Sequence, residues 1–217
     1  MSHRYEEQLK QLNNLLIEMG GWLEYVISFT IQALVKQDAK LAQTIIINAR
    51  EIDIKEKEIE NLCLKLLLQQ PVAGDFRQVS SALKMITDME RIGDQCEGIC
   101  ELTKLLASEE YLMELVYIPK MAEVTTKMVN EAVDAYVKKD LEIAKSVVLY
   151  DDIVDEYYRL VRNDIVALIR QDAAHAEQAI DFMQIAKYLE RIGDHAVNIA
   201  EWVEYSITGV HKSSEHI

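Results

Sequence analysis

Leu189-Glu190-Arg191-Ile192-Gly193-Asp194 nearly repeats Met89-Glu90-Arg91-Ile92-Gly93-Asp94: Glu-Arg-Ile-Gly-Asp recurs at an offset of 100 in a chain of 217 residues. A run this long at a fixed offset marks an internal duplication. In each copy a carboxylate, three intervening residues and a second carboxylate place two oxygen donors on one helical face, one turn apart. The glycine between them costs about 1 kcal/mol against alanine in a helix interior, so another backbone or an ion is expected to come close there.

The duplication extends outward from these motifs. Ala33-Leu34-Val35-Lys36-Gln37-Asp38 is answered by Ala135-Tyr136-Val137-Lys138-Lys139-Asp140, and Ile52-Asp53 by Val154-Asp155, both at an offset of 102. The second repeat is therefore two residues shorter near Gln171-Asp172-Ala173-Ala174, which lacks the proline of Pro71-Val72-Ala73-Gly74. Leu9, Leu12, Leu16, Met19, Leu23, Val26 and Thr30 fall on one face of a helix predicted from about Tyr5 to Lys36. Asp38 is a good N-cap for a second helix to Leu68, Pro71 breaks it, and a third runs from about Asp75 to Ala107. The pattern restarts after a connector from Ser108 to Ile118-Pro119. The predicted fold is all-α, two tandem pseudo-symmetric three-helix antiparallel bundles of six long helices, with repeats over 1–108 and 118–209. The tail at 210–217, with His211 and His216, reads as frayed.

Composition agrees. The chain is 50% hydrophobic with 7 glycines and 2 prolines, which suits long helices. A net charge of -14 repels nucleic acid and anionic lipid and favours cations or basic protein surfaces. Cys63, Cys96 and Cys100 read as reduced packing thiols. No apolar signal core or membrane-length run stands out, so a cytoplasmic protein is expected.

At 100° per residue, Ala82, Met85, Met89, Ile92, Cys96 and Cys100 form the predicted core arc of the third helix, and Phe182, Leu189, Ile192, Ala196 and Ala200 that of the sixth. Asp88, Arg91 and Gln95 point to solvent in this reading. Glu90, Asp94, Glu97 and Glu101 lie on the flank of one arc, and Glu190, Asp194, Glu201 and Asn198 on the flank of the other. Asp53 and Glu60, with Glu56 further in, and the pair Asp151 and Asp155 come from the antiparallel second and fifth helices. Like charges one turn apart repel unless cations neutralise them.

Oxygen-only donors suit Mg²⁺, Mn²⁺, Ca²⁺ or iron better than zinc or copper. The plainer alternative is solvated carboxylates bridged to Arg91, Lys57, Arg162 or Lys187 on a metal-free helical scaffold. A carboxylate-bridged metalloenzyme is a further alternative, set back by the lack of Glu-x-x-His pairs. No phosphate loop, nucleophile elbow or organic-cofactor motif is present. His195 reads as a surface residue, His175 as a turn residue, and Trp22 and Trp202 as core or interface packing.

The duplicated Glu-Arg-Ile-Gly-Asp motif, with Gln70-Pro71-Val72-Ala73-Gly74-Asp75-Phe76-Arg77, Ile52-Asp53 and the run from Leu189 to Trp202, resembles the PhoU family of bacterial phosphate-signalling proteins over essentially the whole chain. The resemblance implies a non-enzymatic cytoplasmic accessory regulator of phosphate uptake. Such proteins negatively regulate the phosphate regulon by linking the ATPase subunit of the phosphate ABC transporter to a membrane sensor histidine kinase. It also implies a homodimer or larger assembly, and metal clusters on Glu/Asp-x-x-x-Asp motifs. Those motifs fall on Glu90 with Asp94, Glu190 with Asp194, and Asp151 with Asp155. The fourth is broken, because Ala49 stands where a carboxylate would precede Asp53, leaving the first site to lean on Glu56 or Glu101. The second-repeat site, with Glu201 nearby, is expected to be the better equipped.

Overall fold

The structure, a computed structural model, describes residues 3–210; the tail expected to fray lies beyond them save for its first residue, and His211 and His216 are outside the described residues. Helices α1 (His3–Lys36), α2 (Ala39–Leu67) and α3 (Ala73–Leu106) form the first repeat. Helices α4 (Ile118–Lys138), α5 (Leu141–Gln171) and α6 (Ala176–Thr208) form the second, with a short 3₁₀ turn at Ala173–His175 ahead of α6. There is no strand among the described residues.

Local chemistry explains the boundaries. Asp38 accepts from the backbone N–H groups of Lys40 and Leu41 at 3.1 and 2.9 Å, and Asp140 does the same for Glu142 and Ile143 at 3.0 and 3.1 Å. Before each cap the chain reverses through a left-handed residue, Gln37 or Lys139, both at φ 53. The following N–H reaches back to a carbonyl five residues earlier, Asp38 to Ala33 and Asp140 to Ala135, both at 2.9 Å. Pro119 sits in the first turn of α4, where its missing N–H has no intrahelical partner to lose.

Within each repeat neighbouring helices pack antiparallel, and the two repeats join along a seam between α3 and α6, with α1 also meeting α4. The apolar residues form one continuous core across that seam. The core arcs expected for α3 and α6 are buried throughout.

The packing of α3 corrects the readings of Asp88, His195 and Gln95. Asp88 is not directed to solvent but buried at 8% exposure. Its Oδ1 accepts from Asn198 Nδ2 at 3.1 Å and lies 2.9 Å from Nδ1 of His195, itself only 15% exposed, so His195 is no surface residue. Gln95 is half-buried with an enclosed side-chain oxygen that lacks a hydrogen bond, whereas Arg91 is exposed as expected. The cause is that α3 touches α1, α2 and α6, so more than one arc of it is covered. At the pseudo-equivalent end of the seam, 100 residues on from Asp88, Tyr188 lies over Gly98, where an added Cβ would sit 2.7 Å from the ring Cζ.

Candidate metal centre

The antiparallel pairs α2–α3 and α5–α6 each bring two carboxylate-bearing flanks to one groove. In the first groove stand Asp53 and Glu56 from α2 with Glu90, Asp94 and Glu97 from α3. Burial is the first cause that raises the Glu56, Glu90, Asp94 and Glu97 carboxyls above their usual range. Mutual repulsion adds to it: Glu90 is pushed by Asp94, Glu56 and Asp53, and Glu97 by Asp94 and Asp53, with Arg50 opposing. Asp94 remains exposed, so water screens part of this repulsion. None of these five carboxylates is in an ion pair among the described residues. Glu101 is exposed on the rim and pairs with Lys104 at 3.1 Å.

In the second groove Asp151 is pushed up to about 6, first by burial and then by Asp155, Asp194, Asp152 and Glu190. Asp194 is raised by burial and by Glu190, with Lys187 and His195 opposing, although it too stays exposed. Lys187 Nζ donates to Glu190 Oε1 at 2.6 Å and stands 5.7 Å from the centre of the Tyr158 ring. Of the bridging cations expected on a plain scaffold, Lys187 is the one that makes this contact; Arg91 and Lys57 act on the first groove only through space. Glu201 is half-buried two turns beyond Asp194 and is not among the carboxylates acting on Asp151 or Asp194.

The motif glycines sit where these helices cross. A Cβ at Gly93 would lie 3.0 Å from Ile52 Cδ1, and one at Gly193 would lie 3.5 Å from Val154 and 3.6 Å from Asp151 Oδ1. The close neighbour is a side chain of the facing helix rather than its backbone.

The two grooves differ in charge. Ala49, where the second repeat carries Asp151, is buried at 2% exposure and leaves no carboxylate there. Glu56 and Glu97 supply acids at positions where the second repeat has Tyr158 and Val197, and Thr87 stands where the second has Lys187. Glu97 was on the predicted stripe; that Lys187 would turn onto Glu190 was not distinguishable from three other candidates by spacing. As the side chains stand, no three acidic, histidine or cysteine groups among the described residues are arranged to hold an ion. The grooves offer hard oxygen donors that repel one another, which is the chemistry a hard cation relieves.

The PhoU domain pattern matches this chain twice, over residues 16–103 and 118–203. The chain belongs to the PhoU family. A phosphate-specific transport system accessory protein PhoU homolog of Clostridium acetobutylicum is 36% identical over 207 residues, covering 94% of each chain. The crystal structure of PhoU from Pseudomonas aeruginosa superposes with a TM-score of 0.90 at 32% identity, over 95% of this chain and 100% of that one. The phosphate transport system regulatory protein PhoU from Streptococcus pneumoniae gives 0.88 at 25% identity, over 95% and 98%. The all-α double repeat read from the motifs is thus the PhoU architecture. No helix among the described residues is long and apolar enough to cross a membrane.

Proposed function

We propose that this PhoU-family chain is a non-enzymatic, cytoplasmic regulator of phosphate transport that restrains phosphate uptake and phosphate-starvation signalling. Its partners in this reading are the ATPase subunit of a phosphate ABC transporter and a sensor histidine kinase, and it works as a homodimer. The observation that carries the reading is the match of both repeats, along almost their whole length, to relatives named as phosphate transport accessory proteins. Deleting the gene tests it: phosphate-uptake genes should be derepressed in phosphate-rich medium, and normal repression there would refute the role.

The carboxylate grooves are the proposed metal sites. Asp53, Glu56, Glu90 and Asp94 would hold a divalent or trivalent ion in the first groove, with Glu97 beside them. Asp151, Asp155, Glu190 and Asp194 would do so in the second, where Lys187 must release Glu190. Such an ion would neutralise the repulsion that raises these carboxyls and tie α2 to α3 and α5 to α6. By donor type it would be iron, Mn²⁺, Mg²⁺ or Ca²⁺. A ligand bound only by the native state raises its stability. Added Mn²⁺ should therefore raise the melting temperature of chelator-treated protein, and the double variant Glu190→Gln with Asp194→Asn should lose the second-groove share. Wild-type metal uptake by that variant would place the site elsewhere.

A further inference from the structure

One end of the α3–α6 seam is filled by the chain itself, and its pseudo-symmetric counterpart is open. At the filled end the connector between the repeats crosses the start of α6. The Leu112 N–H donates to Gln178 Oε1 at 2.7 Å, and Gln178 Nε2 donates to the Glu110 carbonyl at 3.1 Å. Gln37 Nε2 donates to the Glu109 carbonyl at 3.2 Å, and the Tyr111 hydroxyl to the Leu34 carbonyl at 2.7 Å. A short non-helical stretch, residues 109–112, thus takes up both ends of a buried glutamine amide.

At the open end the counterparts of Gln178, Leu34 and Gln37 are Gln78, Tyr136 and Lys139, at offsets of 100 and 102. With Asp75 and Arg77 from the first turns of α3, they line a cleft of about 250 Å³ against the end of α6. That lies below the roughly 300–1,000 Å³ of small-molecule pockets, so a few atoms of backbone suit it better than an enclosed organic ligand. Gln78 is nearly as buried as its counterpart, 7% exposed against 5%. The Tyr136 hydroxyl donates to the Gln78 backbone carbonyl at 2.9 Å, but the Gln78 side chain makes no hydrogen bond among the described residues. Arg77 Nε and Asp75 Oδ2 are enclosed and likewise lack a partner there. An amide removed from water without a partner is costly, and a peptide backbone relieves that cost.

The chain's own continuation does not supply that backbone. After α3 the cap residue Ala107 keeps a helical φ of -69 and the connector runs on over Gln178, whereas α6 ends at Gly209 with φ 78. Past that left-handed turn, Val210, which answers to Glu110, donates its N–H to Thr208 Oγ1 at 3.1 Å and is 59% exposed. Charge differs as well. Where the filled end has Glu177 and Gln37, the open end has Arg77 and Lys139, with Asp75 offsetting one of them. No side chain caps the start of α3, so its free N–H groups add to the pull on an anion. We propose that this cleft docks a short acidic, non-helical segment of a partner protein. Its backbone would bracket the Gln78 amide as residues 110–112 bracket that of Gln178, and its carboxylates would meet Arg77 and Lys139. This rests on neither the phosphate role nor metal occupancy.

The test uses the ¹⁵N-labelled full chain and an end-capped peptide, Ala-Glu-Glu-Ala-Leu-Ala, which keeps the acids of positions 109 and 110 and the leucine of 112. Adding it should shift the Gln78 side-chain amide signal saturably. The Gln178 signal, whose amide is already taken, should stay in place. Methylating the leucine nitrogen of the peptide removes the donor meant for Gln78 and should weaken binding, as should replacing its glutamates by glutamine. Lys139 is exposed, and its φ of 53 is one that glutamine already adopts at position 37, so Lys139→Gln should fold as wild type does. That variant should bind the acidic peptide about three- to five-fold more weakly, the scale of an exposed ion pair, and the glutamine analogue equally well. A Gln78 signal that does not move would overturn the proposal, as would an affinity indifferent to both N-methylation and Lys139→Gln. Binding that appears only in a chain cut after Val210 would also overturn it, by assigning the cleft to the chain's own residues.

Discussion

Asp151→Asn separates a carboxylate held against repulsion from one that merely decorates a helix. The wild-type carboxyl is raised from 3.8 to about 6, and each tenfold gain in its proton affinity corresponds to about 1.4 kcal/mol. Asp151 is only half-buried, so solvent screening cuts that ceiling of about 3 kcal/mol to about 1 kcal/mol. A group whose folded pKa lies above its unfolded value contributes stability that is fully present below the unfolded value and is lost as pH rises through the folded one. Metal-free wild type should therefore lose about 1 kcal/mol between pH 4 and pH 7 through this group. Asparagine carries no charge to repel, so the variant should equal wild type near pH 4 and exceed it by about 1 kcal/mol at pH 8, about 2–4 °C in melting temperature for a chain this long. Differential scanning calorimetry of both proteins with chelator, across pH 4 to 8, measures the difference directly. Excess Mn²⁺ should reverse the order at pH 8, since the wild-type carboxylate then has a partner. A variant less stable than wild type at pH 8 without metal, or a difference that does not change with pH, would refute the argument.

Three further changes probe the helix crossings. Gly98→Ala places a Cβ 2.7 Å from Tyr188 Cζ, so it should cost about 1–2 kcal/mol in wild type; in a Tyr188→Ala background the helix preference for alanine should make it stabilising by up to about 1 kcal/mol, as read by urea denaturation. Gly93→Ala must displace Ile52 whereas Gly193→Ala meets only ordinary contacts, so the second substitution should raise the melting temperature and the first should lie about 1–2 kcal/mol below it. Asp88→Ala strips the acceptor from His195 and Asn198 at the α3–α6 seam and should cost about 2 kcal/mol, with amide exchange quickening on both helices; exchange faster on one helix alone would argue against a shared seam.

Much of this molecule was readable before any coordinates. The offsets of 100 and 102 and the capping aspartates Asp38 and Asp140 implied six helices in two matched triplets, because duplication and capping are written in consecutive residues. The flanks that hold Glu90, Asp94, Glu190 and Asp194 followed from helical geometry, and the structure brings Asp53 and Asp155 toward them because α2 and α5 are the antiparallel neighbours. The misplacement of Asp88 and His195 has a simple origin. A helical wheel assigns one buried arc to each helix, and α3 and α6, each packed against several others, have more than one.

The Glu-Arg-Ile-Gly-Asp repeat by itself determined that the chain is duplicated, that each copy sets two carboxylates one turn apart, and that a glycine lies between them. Only the tertiary structure decided what surrounds those carboxylates. It turned Lys187 onto Glu190 in one groove and left the five acids of the other without an ion pair among the described residues. It also buried Ala49 at the place where Asp151 is held half-exposed and raised. The physical reason is one of range. Helical spacing is set by local backbone hydrogen bonds and can be counted along the chain. The charge that one carboxylate meets depends on burial and on side chains from another helix, dozens of residues away, which approach only after the apolar core has closed.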